Sequence, residues 1–252
     1  MTMPFSVCIL ARNGHKQAIK LIDSLKKIED IEIEICIGNQ SSYSQDKAWY
    51  EATADQCFTI DDSELWSYGF GVCKQKVIDV ATNPWVIVAD IGEVWHEDKR
   101  TGGIARQVRE SLDTPVFSVL RCQPELVNFA KAHNNPRMVI NDENARIFDK
   151  REMKLLGLIH EEPYHKTTGA SWAQYAKRSQ PLAFVEHIGS ISEDRSYLAR
   201  KELLYDHLID KIVKRPELRV GTNFYWWTQY YYEVVKPRMK PLTFKEWQSL
   251  PG

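Results

Sequence analysis

Trp85-Val86-Ile87-Val88-Ala89-Asp90-Ile91-Gly92-Glu93 is the stretch on which the fold turns. Trp85 to Ala89 is apolar without interruption, as in a strand covered on both faces. Asn83-Pro84 bounds it on one side. On the other side it delivers Asp90 to the carboxyl end of the strand, where ligands of open α/β sheets bind. Upstream, Phe70, Cys73, Val77, Ile78 and Ala81 mark one face of a helix. Nearer the start, Phe5-Ser6-Val7-Cys8-Ile9-Leu10 reads as a buried strand closed by Arg12-Asn13-Gly14. Ala18, Leu21, Ile22 and Leu25 follow at helical spacing. Ile31, Ile33, Ile35 and Ile37 then alternate with Glu32, Glu34 and Cys36, a strand that stops at Gly38-Asn39-Gln40-Ser41-Ser42. Cys57 to Ile60 is a third strand candidate. Strand–helix–strand order predicts a parallel sheet.

Downstream the pattern continues more weakly. Ile104, Val108 and Leu112 suggest a helix, and Val116 to Leu120 a strand. Ala145 to Phe148 and Leu182 to Val185 read as further short strands. Ser190 with Glu193 forms a candidate capping box, Leu204, Leu208 and Ile212 a helix ending near Pro216, and Asn223 to Val235 a last helix. Neither an internal repeat nor a clear linker interrupts the chain.

Composition excludes several classes. The 252 residues are 43% hydrophobic and 27% charged, which suits a globular chain rather than a disordered one. No apolar run is long enough for a transmembrane helix, and Met1 to Leu10 lacks the basic and apolar regions of a signal peptide. The cysteines, Cys8, Cys36, Cys57, Cys73 and Cys122, form no CxxC pair, which argues against a structural zinc site or a disulfide framework. A cytoplasmic setting is the expectation. Overall charge is near neutral, but residues 195–252 hold 11 basic side chains against 6 acidic ones. That segment is also rich in aromatics, with Phe224-Tyr225-Trp226-Trp227 and Tyr230-Tyr231-Tyr232. One helix face cannot bury all of these, so the segment is either packed on the core or a surface for an anionic or sugar-bearing partner.

Four segments in order carry a resemblance. They are Ser6 to Asn13; Glu34 to Ser42; Lys74-Gln75 through Trp85 to Glu93; and Arg146-Ile147-Phe148 followed by Gly157-Leu158-Ile159-His160-Glu161, with His187-Ile188-Gly189 further on. Together they resemble the family-2 glycosyltransferases of the GT-A fold: an opening strand with an Asn-containing turn, a strand ending in an Asp-x-x-Ser loop, a strand running into Asp-x-Asp-Glu, and a Gly-x-x-His-Glu segment.

The resemblance implies a Rossmann-like α/β fold, its mixed, mostly parallel sheet carrying helices on both faces. It implies a GT-A core over residues 1–194, with a donor half to about 100 and an acceptor half beyond it, and a helical extension over 195–252. It implies an enzyme that moves a sugar from a nucleoside diphosphate sugar to an acceptor hydroxyl, with inversion. The departing diphosphate gains negative charge, so cations or a metal must face it. The acceptor hydroxyl needs a general base. By motif position that base is Glu161, with His160 placed to orient it. The donor-binding positions are Arg12, Asn39, Lys74, Asp90 and Arg146. A divalent cation, Mn or Mg, would fall to Asp90, Glu93 and His187.

Two positions depart from the pattern. Gly92 stands where the second Asp of Asp-x-Asp stands, so direct neutralisation of the diphosphate by Arg12, Lys74 or Arg146 is the alternative to a metal. Gly38 stands where an Asp often meets the base, leaving Asn39 either to bind a base edge or to serve its turn. The acceptor is a glycan, a lipid-linked sugar, a protein or a hydroxylated base in DNA, the last motivated by the basic, aromatic C-terminus. A reading from another class is a catalytically silent nucleotide-sugar-binding module, motivated by Gly92.

Overall fold

The computed structural model describes residues 2–97, 102–111, 113–122, 142–175, 182–187, 195–218, 231–238 and 243–250. The chain opens with β1 (Met3–Ala11), α1 (His15–Leu25), β2 (Ile31–Asn39), α2 (Ser44–Thr53), β3 (Gln56–Thr59), α3 (Asp62–Val80) and β4 (Trp85–Ala89). There follow β5 (Glu93–Glu97), α4 (Ile104–Glu110), β6 (Val116–Cys122), β7 (Asp142–Asp149), β8 (Met153–Leu156), β9 (Glu162–His165) and β10 (Ala183–His187). The helix α5 (Arg195–Lys214), a π-helical turn at Tyr231–Val235 and the short α6 (Phe244–Gln248) follow, with three-residue helical turns at Trp172–Gln174, Pro216–Leu218 and Lys236–Arg238.

Eight strands form one sheet in the order β3-β2-β1-β4-β7-β6-β10-β5, and β8 and β9 pair as a separate hairpin. β1 pairs in parallel with both β2 and β4, and β2 with β3. β7 inserts antiparallel between β4 and β6, β10 runs parallel to β6, and β5 closes the edge antiparallel to β10. The fold is thus α/β with a mixed, mostly parallel sheet, as expected.

The sheet's alternation builds two cores. Val86 and Val88 of β4 are buried with Cys8, Cys36, Cys73, Val77 and Ile78 under α3, and Leu204 and Leu208 of α5 join them. Ile87 and Ala89 face the opposite way, against Ala18, Leu21, Ile22 and Leu25 of α1, Tyr50 of α2 and Ile104 and Val108 of α4. Period-two alternation in a strand covered by helices on both faces explains why β4 had to be apolar throughout. Val86 is 0% and Val88 2% exposed.

The sequence reading missed β5 and the β8–β9 hairpin. β5 is Glu-Val-Trp-His-Glu, a polar edge strand with no apolar run to announce it. The capping box at Ser190 and most of the last expected helix, Asn223 to Tyr230, lie outside the described residues. At its other end that helix is replaced by the π-helical turn, where Tyr231 is buried and donates its hydroxyl to Asp210 Oδ1 (2.6 Å).

Candidate functional site

The chain steps from β1 to β2 to β3 in one direction, then returns to place β4 on the other side of β1. The crevice between the carboxyl ends of β1 and β4 is therefore the switch point at which an α/β sheet of this kind binds its ligand. Asp90 leaves β4 at this crevice. Arg146 reaches the same edge from β7, one residue beyond the last β4–β7 pair, Ile87 with Ile147. Lys74 comes from α3, which packs over β1 and β2.

Glu161 arrives by a different route. Phe70 N–H donates to Leu158 O (2.7 Å) and Gly71 N–H to Gly157 O (2.9 Å), so the 157–161 segment docks backbone to backbone on α3. A Cβ at Gly69 or Gly71 would overlap the backbone of Leu158 or Gly157. Gly69 also has φ 71°, which kinks α3 at this point. His160 is held at φ 49°, an uncommon conformation for a residue with a side chain. The turn then presents Glu161 to Lys74, one helical turn beyond the docking point. The sequence reading did not use Gly69 and Gly71; a Gly-Phe-Gly inside a helical pattern was the available signal.

The assembled cluster is a chain of ion pairs. Lys74 Nζ donates to Asp90 Oδ1 (2.6 Å) and also to Glu161 Oε1. Arg146 Nη2 donates to Asp90 Oδ2 (2.9 Å) and lies 3.5 Å from Glu93 Oε1. Glu93 Oε2 accepts the Asp90 backbone N–H (3.0 Å). The side chains of Lys74, Arg146 and Glu161 are 7%, 12% and 12% exposed, while Asp90 keeps 30%. Burial pushes the Asp90 carboxyl up, but Lys74 and Arg146 outweigh it and hold the group well below the usual carboxylate range. Glu93 goes the other way: burial, with Asp90 adding to it, raises its carboxyl against the pull of Arg146. Burial lowers Lys74, yet Asp90 and Glu161 together carry its ammonium above the usual value, so it stays charged. Lys201 on α5 senses the same field; burial lowers its ammonium, and Asp90 and Glu161 partly restore it. The sequence reading did not single out Lys201.

The cluster is a poor fit for a divalent cation. Each of the four carboxylate oxygens of Asp90 and Glu93 already faces a protein donor, three of them Lys74 or Arg146 and the fourth the Asp90 backbone N–H. Gly92 brings no ligand, and its φ of 90° is what the tight turn from Asp90 to Glu93 requires. An ion on Asp90 would sit beside two buried cations. To ligate it, Asp90 would have to give up Lys74 on one oxygen and Arg146 on the other. Among the described residues no group of three or more His, Cys, Asp or Glu side chains has metal-binding geometry. His187 pairs with Glu93 in the β10–β5 ladder; its side chain lies outside the described residues.

Two further expected donor residues, at the carboxyl ends of β1 and β2, make other contacts. Arg12 donates to Asp62 Oδ1 (2.6 Å), which shares its other oxygen with Arg200 (2.8 Å), rather than joining Asp90. Asn39 is 3% exposed, and its Oδ1 accepts the Ser41 N–H (2.9 Å), which is the turn role. Its Nδ2 is buried without a hydrogen-bond partner. Glu162 begins β9 and turns to Tyr164 and Trp172; burial, ahead of those hydrogen bonds, raises its carboxyl.

No protein-family model and no curated protein matches the chain. Solved structures do. A mannosyltransferase, PcManGT from Pyrobaculum calidifontis, in complex with GDP-Man and Mn2+, is 13% identical over 92% of this chain and 70% of its own, with a TM-score of 0.48. TarS 1-349 of S. aureus in complex with UDP-GlcNAc is 14% identical over 92% and 71%, with a TM-score of 0.45. A further structure of TarS 1-349 matches at 19% identity over 48% of this chain, with a TM-score of 0.39; there the chain spans 36% of TarS 1-349. These are remote similarities to glycosyltransferase structures. What the chain does has to be argued from its own site.

Proposed function

We propose that the chain is a glycosyltransferase of the family-2 type, transferring a sugar from a nucleoside diphosphate sugar to an acceptor hydroxyl with inversion. The observation that carries the reading is the convergence of Lys74, Arg146, Asp90 and Glu161 at the switch-point crevice. Two buried cations there suit a diphosphate, and Glu161 supplies a carboxylate at the same crevice for the acceptor's proton. In the step proposed, the acceptor oxygen bonds the anomeric carbon as its proton passes to Glu161. The bond from that carbon to the phosphate oxygen breaks, and its electron pair leaves on the diphosphate, facing Lys74 and Arg146. Asp90 holds both cations in place and has exposed surface for a ribose hydroxyl or the sugar.

No helix among the described residues is long and apolar enough to cross a membrane. The described C-terminal aromatics Tyr231 and Trp247 are buried, and Tyr232 is exposed. These placements favour no acceptor class, so the proposal stops at a hydroxyl. The test is release of nucleoside diphosphate from UDP-glucose, UDP-GlcNAc and GDP-mannose, with and without added acceptors. Turnover of any donor, including slow hydrolysis, supports the enzyme. Donor binding with no turnover under any condition would instead favour a silent binding module.

A further inference from the structure

Resting on that reading, we infer that Lys74 and Arg146 form a built-in cation pair that takes the place of a divalent ion, so that the donor diphosphate is bound and released without metal. The two side chains come from α3 and β7, meet at Asp90, and carry two positive charges into one buried position. That is the charge of one divalent ion, at the crevice where the sheet topology places a ligand. The pair is held from both sides. Asp90 bridges the two cations, Glu161 holds Lys74, and Glu93 supports Arg146 while capping the Asp90 backbone.

The donors left over match a diphosphate. An ammonium has three N–H groups, and the two carboxylates take two of those on Lys74. Arg146 meets Asp90 and Glu93 through Nη2 alone among the described residues, leaving most of its five N–H groups in a planar fork suited to phosphate oxygens. Gly92, in the place where a second acidic ligand was expected, completes the picture. A chain that replaces a metal by two cations has no use for that carboxylate, and the turn it makes there needs glycine.

The experiment is calorimetric titration of the full chain with UDP-glucose, UDP-GlcNAc and GDP-mannose, once in EDTA and once in Mn2+. The expected result is that any donor that binds does so with affinities agreeing within about threefold in the two buffers. Lys74→Gln should then weaken binding in EDTA by about tenfold or more, the loss of a charge-assisted contact, while Lys74→Arg keeps most of it. Arg146→Gln carries the same expectation should Lys74→Gln fail to fold by circular dichroism. Binding that appears only with Mn2+, or wild-type affinity in both Gln variants, would overturn the inference and leave the glycosyltransferase reading standing. Failure of all three donors to bind in either buffer would remove both.

Discussion

Two ionic clusters among the described residues are built from the same kinds of residue to different ends. In the first, Lys74 and Arg146 face three carboxylates, Asp90, Glu93 and Glu161. In the second, Arg12 and Arg200 share a single carboxylate, Asp62. The second is tied into packing at each further contact. Arg200 lies 4.3 Å over the Trp247 ring and donates to Leu250 O (3.2 Å), and Trp247 Nε1 donates back to Arg200 O (3.1 Å). Arg200 is thus held by a backbone carbonyl and an aromatic face, while Nε of both arginines is buried without a hydrogen-bond partner. In the first cluster the ions are bound to one another, beside an Asp90 that is 30% exposed at a crevice. Like ingredients thus give a partly exposed ionic cluster at the sheet's crevice in one place and, in the other, a clasp that fastens residues 243–250 to α3 and α5.

That contrast makes the two clusters separable by mutation. The largest expected effect is on the base. Glu161→Gln keeps size and hydrogen bonding but cannot accept a proton, so the chemical step, measured at saturating donor, should fall by roughly 10²–10⁴-fold. Glu162→Gln should do far less, because Glu162 turns to Tyr164 and Trp172 rather than to Lys74. Single-turnover rates of the two variants check this; a dead Glu162→Gln beside an active Glu161→Gln would move the base by one residue.

The clasp should answer in stability instead. Trp247 is 1% exposed and packs on Trp66 with ring centroids 5.2 Å apart. Trp247→Ala should cost about 3–5 kcal/mol of unfolding free energy by removing a large buried aromatic. A denaturant titration measures it, and at temperatures where the variant is folded the donor affinity should match wild type. Loss of donor binding in a folded Trp247→Ala would mean that the two clusters act as one.

Asp90→Asn comes next. It keeps the shape but removes the charge that both cations share, and turnover should fall by about tenfold or more, the value of a charged hydrogen bond or two. The variant should fold, because Asp90 is the most exposed member of its ion pairs. Unchanged kinetics with an intact melting curve would place the site elsewhere.

The first hundred or so residues were legible in sequence to different depths. β4 was read to the residue because a strand buried on both faces leaves no polar position to blur it. β1 and β2 followed from the apolar run at Phe5 to Leu10 and the isoleucine alternation. The candidate residues Lys74, Asp90, Arg146 and Glu161 came from motif resemblance, and the structure brings these four into one ionic cluster. What sequence could not give was long-range contact without a local pattern. Nothing near Gly69 announces Leu158, and nothing near Arg12 announces that its partner is Asp62 rather than Asp90. Arg12 was assigned to the donor by the resemblance; in the structure its partner is the Asp62 carboxylate at the start of α3. The clasp went unread for the same reason, since Trp247 lies 181 positions from the Trp66 that it packs on.

The smallest effect expected is a pH dependence confined to the clasp side. His207 on α5 stacks on Trp66, ring centroids 3.6 Å apart and planes 11° from parallel, and its Nε2 is buried without a hydrogen-bond partner. Burial, with the Lys211 charge adding to it, pushes the imidazole down to about 4, from about 6.5 for a free histidine. Between those values the unfolded chain binds a proton at this position that the folded chain does not. The contribution of His207 is therefore fully present above about pH 6.5 and is lost as pH falls towards about 4. His207→Phe retains the stack and removes the titration. Plotted against pH across that window, the unfolding free energy of His207→Phe should fall less steeply than that of wild type, by at most about one proton's worth of slope. Parallel curves would show that His207 is as easily protonated in the folded chain as in the unfolded one, and would remove it from the clasp.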